Sequence, residues 1–297
     1  MRPTLTLEQL RIFAAVAERE HMTRAAEALG LAQSAVSAAI GALETHYGTK
    51  LFHRVGRGIA LTEAGAVFLG EAQAVLARAE AAERVLFELG SLKRGVLTLE
   101  ASQTIASYWL PRHLAAFRRA HPGVEIHLTI GNTAQVAASV RDGTAELGLI
   151  EGAIEDEALV SEPVARDQLV VVVSPDHPWG AISPFAPALL LEGDWVLREP
   201  GSGTRSVFEA AIEGFGLDPS ALKLVLELPS NEAVRGAVEA GLGATALSAS
   251  VAAPSIEAGL LQVVDLRLPD RPFSLLRRNE RYRSRAAEAL IALVTGR

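Results

Sequence analysis

Gln33, Ser34 and Ser37 stand in the stretch MTRAAEALGLAQSAVSAAIGAL, residues 22–43, where small, apolar and hydroxyl residues recur at helical spacing. Amide and hydroxyl side chains of this kind can hydrogen-bond base edges in the DNA major groove. A second set of polar residues falls into four clusters: Ser102, Gln103 and Thr104; Gly131, Asn132 and Thr133; Gly201, Ser202, Gly203, Thr204 and Arg205; Ser230 and Asn231. Each follows an apolar stretch, at a strand-to-helix junction where backbone N–H groups can hold a small anion. Ser, Thr and Asn are also the ordinary helix caps, so a single cluster has a structural reading as well. GSGTR is the richest of the four, because its two glycines permit close backbone approach and Arg205 brings a charge. It lacks the Lys and the spacing of a nucleotide P-loop, which argues against ATP or GTP. Glu151 and Glu199 fall near the same junctions and weigh against a highly charged anion.

The first set needs two crossed helices to position it. Thr23 is placed to cap a short helix with an inward stripe of Ala25, Ala26 and Leu29, and Gly30 ends it in the left-handed conformation that glycine adopts cheaply. Val36, Ile40 and Leu43 then recur at helical spacing and face the first helix, which leaves Gln33, Ser34, Ser37 and Ala38 outward. An amphipathic helix carrying Leu7, Leu10, Ile12, Phe13 and Val16 precedes this pair. After it, Gly48, Gly56 and Gly58 punctuate a β-hairpin that carries Arg54 and Arg57. A helix-turn-helix followed by a basic hairpin is a winged arrangement, whose arginines reach phosphates or the narrow minor groove.

The run from Leu7 to Gly65, LEQLRIFAAVAEREHMTRAAEALGLAQSAVSAAIGALETHYGTKLFHRVGRGIALTEAG, resembles the N-terminal domain of LysR-type transcriptional regulators without a gap. By that resemblance the chain is multidomain. It has an α-rich winged helix-turn-helix at 1–61, a linker and dimerisation helix at 62–91, and a two-lobed α/β effector domain at 92–297, similar in fold to periplasmic binding proteins. Lobe I is implied at 92–164 with 268–297, and lobe II at 165–267, so two of the four junctions lie on each lobe and a small anion would sit between them. The family often carries a hydroxyl at the position of Ala32 and polar or basic residues at those of Ala38 and Ala39. Their absence here concentrates base readout on Gln33, Ser34 and Ser37. A dimer or tetramer binding an inverted repeat in double-stranded promoter DNA is implied, with RNA polymerase as a further possible partner.

Composition agrees with such an arrangement. The 297 residues leave room for two domains or more. The net charge is −7, yet residues 1–60 hold seven Lys or Arg against five Glu, so the basic end is local and global acidity does not exclude DNA. Cysteine is absent, which excludes thiol redox sensing, disulfides and thiolate metal sites. No signal-like N-terminus and no apolar run of the roughly 18 residues that span a bilayer is found, so a cytoplasmic location without membrane contact is expected.

From Thr62 to Leu89 the residues Ala64, Phe68, Ala72, Val75, Ala79, Ala82, Leu86 and Leu89 form a heptad-like stripe on a long helix, and GSLKRG at 90–95 reads as a hinge. Beyond it, VLTLEAS, VEIHLTI, AELGLI, QLVVVVS, DWVLRE, LKLVLEL and ATALSA are candidate strands, alternating with helical stretches such as 108–120 and 206–215. LVVVV, apolar on both faces, reads as a buried parallel strand. His113, His121 and His127 lack metal-ligand spacing, and Trp109, Trp179 and Trp195 read as packing residues. No nucleophile-elbow context or acid-base pair is found, so neither catalysis nor a metal or cofactor is expected. A transport solute-binding protein is the alternative that explains two lobes; it leaves residues 22–43 without a role.

Overall fold

The computed structural model describes residues 5–56, 58–90, 95–279 and 283–297. The chain divides into two units, one running through Gly90 and the other built from Ser91–Arg141 and Ala145–Arg297.

The first unit opens with α1 (Leu7–Arg19), where Thr6 Oγ1 accepts from the Gln9 N–H and Gln9 Oε1 accepts in return from the Thr6 N–H. This reciprocal box satisfies two N–H groups that the helix start leaves unpaired. The crossed pair follows as α2 (Met22–Leu29) and α3 (Gln33–Tyr47). Thr23 does not cap α2: the helix begins one residue earlier, and His21 Nδ1 accepts from the Arg24 N–H. An imidazole lone pair two residues upstream does the work expected of the hydroxyl. Gly30 adopts φ 66°, as the break in the pattern requires. Ala25, Ala26, Val36, Ile40 and Leu43 join Phe13 and Val16 in one buried core.

The wing is an antiparallel hairpin of β1 (Phe52–Val55) and β2 (Gly58–Leu61), paired from Phe52↔Leu61 to Val55↔Gly58. Arg57 lies outside the described residues, as do residues 91–94 of the expected hinge. Helix α4 (Glu63–Gly90) starts where Thr62 Oγ1 accepts from the Gly65 N–H. Its expected stripe divides. Phe68 stacks on Phe13 at 4.8 Å and Ala72 is fully buried, so this part covers its own domain, whereas Val75 is exposed. Phe68 and Ala72 are thereby corrected from seam to core; the side chains of Leu86 and Leu89 lie outside the description.

The second unit is built on a continuous sheet in the order β4-β3-β5-β11-β6-β9-β7-β8. Its strands are β3 (Gly95–Ser102), β4 (Val124–Gly131), β5 (Leu147–Glu151), β6 (Leu159–Val173), β7 (Asp194–Arg198), β8 (Lys223–Leu228), β9 (Ala244–Ser248), the short β10 (Gln262–Val263) and β11 (Asp270–Arg278). Its helices are α5 (Leu110–Ala120), entered through a π-helical turn at Ile105–Trp109, then α6 (Thr133–Asp142), α7 (Gly203–Gly214), α8 (Asn231–Glu239), α9 (Ala249–Glu257) and α10 (Arg285–Thr295). One core gathers Leu97, Leu99, Leu149, Leu275 and Leu290, with Val164 packed on it; a second gathers Val171, Trp195, Phe208, Ala246 and Leu268. These are the cores of two lobes.

All seven expected strands form, but the apolar run is not parallel to its neighbours. β6 pairs antiparallel with β9, β10 and β11. Burial on both faces, which the apolar run announces, fixes the environment of a strand and not its direction. β6 also starts at Leu159, well before the expected Gln168, and its first part pairs with β11, a strand absent from the expected set. Leu159–Gln168 alternates in burial along that pairing, while Val171–Val173 are fully buried. The two long strands therefore carry the chain from one lobe to the other and back.

Candidate functional site

On the first unit, Gln33, Ser34 and Ser37 lie along the N-terminal half of α3 and are exposed, on the side away from the core face of Val36 and Ile40. Ala32 is the N-cap residue, with extended backbone and no side-chain hydrogen bond. Arg54 is exposed on β1. The wing is pinned to α3 by Glu44, which is buried and accepts from the N–H groups of Leu51 and Phe52 at 2.9 and 3.2 Å while pairing with Lys50. Burial alone raises the Glu44 pKa, but Lys50 and the two backbone donors outweigh it and hold the carboxyl below its ordinary value. Sequence reasoning missed Glu44; an acidic residue in register with Ile40 and Leu43 on the core face was the available signal.

On the second unit, the four polar junctions meet in pairs across the lobes. The first meets the fourth: Gln103 Oε1 accepts from the Asn231 N–H at 2.7 Å, and Asn231 Nδ2 donates to Thr104 Oγ1 at 3.0 Å. The second meets the third: Asn132 Nδ2 donates to Glu199 Oε1 at 3.2 Å, and the Ala134 N–H donates to the Gly201 carbonyl. Gly203 is tight against the same seam, where a Cβ would stand 2.3 Å from the Glu151 carbonyl oxygen and 2.4 Å from Thr133 Oγ1. Only glycine fits there.

Several groups are less available than their sequence positions imply. The Asn132 N–H is taken by Gln135 Oε1, the Asn231 N–H by Gln103 and the Ser202 N–H by the Glu199 carbonyl, so these expected free donors are engaged within the protein. Ser230 acts as the N-cap of α8, its Oγ accepting from the Ala233 N–H. Arg205 turns away from the seam to Glu209 and Glu227, at 2.7 and 2.6 Å, because those carboxylates flank it on α7 and β8. Ser102, Thr104, Thr133, Ser202, Thr204 and Asn231 are all buried, and Ser102 Oγ has no hydrogen-bond partner. A buried hydroxyl without a partner costs about 1–3 kcal/mol.

Charged residues that sequence reasoning did not select complete the seam. Arg198, 6% exposed, grips Glu199 through Nε and Nη2 at 2.8 and 2.9 Å and donates from Nη1 to Asn231 Oδ1 at 2.6 Å. Burial pushes the Glu199 pKa up; the guanidinium and the Asn132 amide more than reverse this and leave it below the ordinary carboxylate range. Arg271, 1% exposed, donates to Asp167 Oδ2 from Nε and to Thr204 Oγ1 from Nη1, and Ser248 Oγ donates to Asp167 Oδ1. Arg271 and Asp167 lie on β11 and β6, so this buried network ties the start of α7 to the two strands that join the lobes. A charged residue interrupting an apolar strand was the signal for Arg198; Pro272 beside Arg271 masked β11.

Among the described residues there is no cluster of His, Asp and Glu able to hold a metal, and no single helix is long and apolar enough to cross a membrane. His113 stacks on Trp109, His121 stacks on Phe117, and His127 contacts Glu125. Trp109, Trp179 and Trp195 are buried packing residues.

Comparison with known proteins places this geometry. The family described as "Bacterial regulatory helix-turn-helix protein, lysR family" matches residues 7–66, and "LysR substrate binding domain" matches residues 90–297. The probable RuBisCO transcriptional regulator of Cyanidioschyzon merolae (strain NIES-3377 / 10D) is 36% identical over 287 residues, 95% of either chain. The full-length structure of CbnR complexed with its target DNA is similar at a TM-score of 0.71 and 22% identity, covering 98% of this chain and 99% of that one. The regulatory domain of CcmR from Synechocystis PCC6803, solved in complex with 2-PG, is similar at a TM-score of 0.63 and 24% identity, covering 68% of this chain and 97% of that domain. At these identities the two structures establish a common fold.

Proposed function

The chain belongs to the LysR family of transcriptional regulators, a family that is not enzymatic, and from that premise we propose that a small anionic metabolite held between its lobes controls how it binds promoter DNA. Gln33, Ser34 and Ser37 read base edges from α3, while Arg54 and Arg57 of the wing contact phosphate or the minor groove. The working divisions are 1–61 for DNA reading, 62–91 for the linker helix and 92–297 for the effector domain, with lobes at 92–164 plus 268–297 and 165–267. The regulator acts in the cytoplasm as a dimer or tetramer on a partly palindromic site, with exposed apolar positions of α4 such as Val75 available for pairing. RNA polymerase is its partner at the promoter.

One observation carries the assignment of the effector site. Ser102 Oγ is buried and unpartnered at the end of β3, beside Gln103 and Thr104, which meet the other lobe. Thr104, Asn132, Thr133, Gly201, Ser202, Gly203, Thr204 and Asn231 supply the surrounding surface; Ser230 caps α8 and contributes through that helix start. The carboxylates Glu151, Asp167 and Glu199 outnumber the cations Arg198 and Arg271 here, which favours an effector of low charge.

Ser102→Ala tests this cleanly, because the hydroxyl makes no bond that the fold would lose. Calorimetry with a metabolite found by thermal-shift screening is expected to show affinity about tenfold lower, for one hydrogen bond worth ~1.4 kcal/mol. Melting temperature should hold or rise, because the substitution removes the cost of an unpartnered buried hydroxyl, and gel-shift affinity for the chain's own upstream DNA should stay unchanged. Undiminished effector affinity would remove the cleft as the site.

A further inference from the structure

Arg198, buried, and Glu199, half-buried, form a bidentate pair whose carboxylate sits where the two lobes meet. Glu199 Oε1 takes hydrogen bonds from Arg198 Nη2 on its own lobe and from Asn132 Nδ2 on the other, while Oε2 takes the Arg198 Nε bond. An acidic side chain thus already holds the position that a two-oxygen anion would need in order to bridge the lobes. The partners differ in how firmly they are held. Arg198 is 6% exposed and stays anchored through Nη1 to Asn231 Oδ1, whereas the Glu199 side chain is 22% exposed and has a route to water.

Resting on the reading of this cleft as the effector site, we propose that Arg198 is its anion-reading residue and Glu199 its built-in competitor. The carboxylate or phosphate of a ligand takes over the guanidinium fork and the Asn132 amide while Glu199 swings to solvent. The exchange replaces one bidentate pair with another, so Arg198 is never left as an unpaired buried charge, a state that is strongly unfavourable. A neutral ligand cannot make the exchange, because it offers no charge to replace the carboxylate it displaces. The pair therefore selects for anions and sets a threshold on how tightly they must bind. The depressed pKa of Glu199, caused against burial by Arg198 and Asn132, keeps the competitor ionised at neutral pH.

The test is calorimetric binding of malonate and of inorganic phosphate, with glycerol as the neutral control, to the full chain and to Glu199→Gln. Glutamine keeps the shape of the competitor and removes its charge. Binding of at least one anion is expected to tighten about tenfold or more, the scale of one charge-assisted hydrogen bond, with glycerol unaffected. Malonate alone responding identifies a carboxylate ligand; phosphate alone responding identifies a phosphate. The double variant Arg198→Met/Glu199→Gln, which removes both charges together, should lose the gain while retaining a cooperative melt. Anion affinity unchanged or weakened in Glu199→Gln, or no anion binding by either protein, overturns the exchange. If that unchanged binding is still weakened by Ser102→Ala, the cleft reading survives without the exchange; if it is insensitive to both substitutions, the cleft reading falls as well.

Discussion

Glu44 joins α3, the helix proposed to read base edges, to the start of the wing. It receives the backbone N–H groups of Leu51 and Phe52 while belonging to α3, so its carboxylate fixes one element against the other. Glu44→Ala should destabilise the N-terminal unit by about 1–3 kcal/mol, because the Leu51 and Phe52 donors lose their buried acceptor. Glu44→Gln, which retains an acceptor oxygen, should recover part of that loss. Folding depresses this carboxyl below its ordinary value of 4.5, so its contribution is full above that value and is lost as pH falls through the lower folded pKa. Thermal melts between pH 7 and pH 3 should show a shallower acid loss in Glu44→Gln than in the unsubstituted chain; parallel curves would contradict the role. The residues expected to face DNA were legible because helical spacing separates outward Gln33, Ser34 and Ser37 from inward Val36 and Ile40. Arg271 was not, because its partner Asp167 lies about a hundred residues away; nor were Glu44 and Arg198, whose nearer partners become partners only once the wing turn and the end of β7 have folded.

At the level of elements, α2 and α3 followed from pattern almost residue by residue, since Gly30 marks the turn and the buried stripe is continuous across it. The start of α3 is its weak point. Ala32 has the extended backbone of an N-cap, φ −71° and ψ 141°, without a side chain able to accept from the first turn. Ala32→Ser should therefore stabilise the N-terminal unit by ~1 kcal/mol, read as a higher midpoint in denaturant unfolding. An unchanged or lower midpoint would show that the helix start is already satisfied. The sheet was less legible. Apolar runs announced seven strands, but strand direction is set by pairing, and β6 and β11 find each other across about a hundred residues, from Leu159↔Arg278 to Gln168↔Asp270. The first half of β6 and all of β11 mix charged residues with apolar ones and each contains a proline, Pro163 or Pro272, so no clean period betrayed them. The stripe on α4 was legible as a helix face, yet sequence could not divide it between the residues that cover Phe13 and those that remain exposed.

For the molecule as a whole, charge and fold divide the labour of a LysR-type regulator. Residues 1–60 hold seven Lys or Arg against five Glu while the full chain carries −7, so the local balance around α3 and the wing is less hostile to phosphate than that of the rest of the chain. The junctions of the second unit were legible as a set because hydroxyl, amide and glycine residues recur after apolar strands. Which junction meets which was not, since it depends on how β6 and β11 bring the lobes together. Control of DNA binding then requires the effector to favour one arrangement of the regulator over another, because a ligand with equal affinity for both shifts nothing. Footprinting of the chain's own upstream DNA, with and without a metabolite that binds the effector domain, tests this most directly. The protected region and the DNA bend are predicted to change when the metabolite is added; protection and bending that stay the same for every metabolite that binds would contradict effector control.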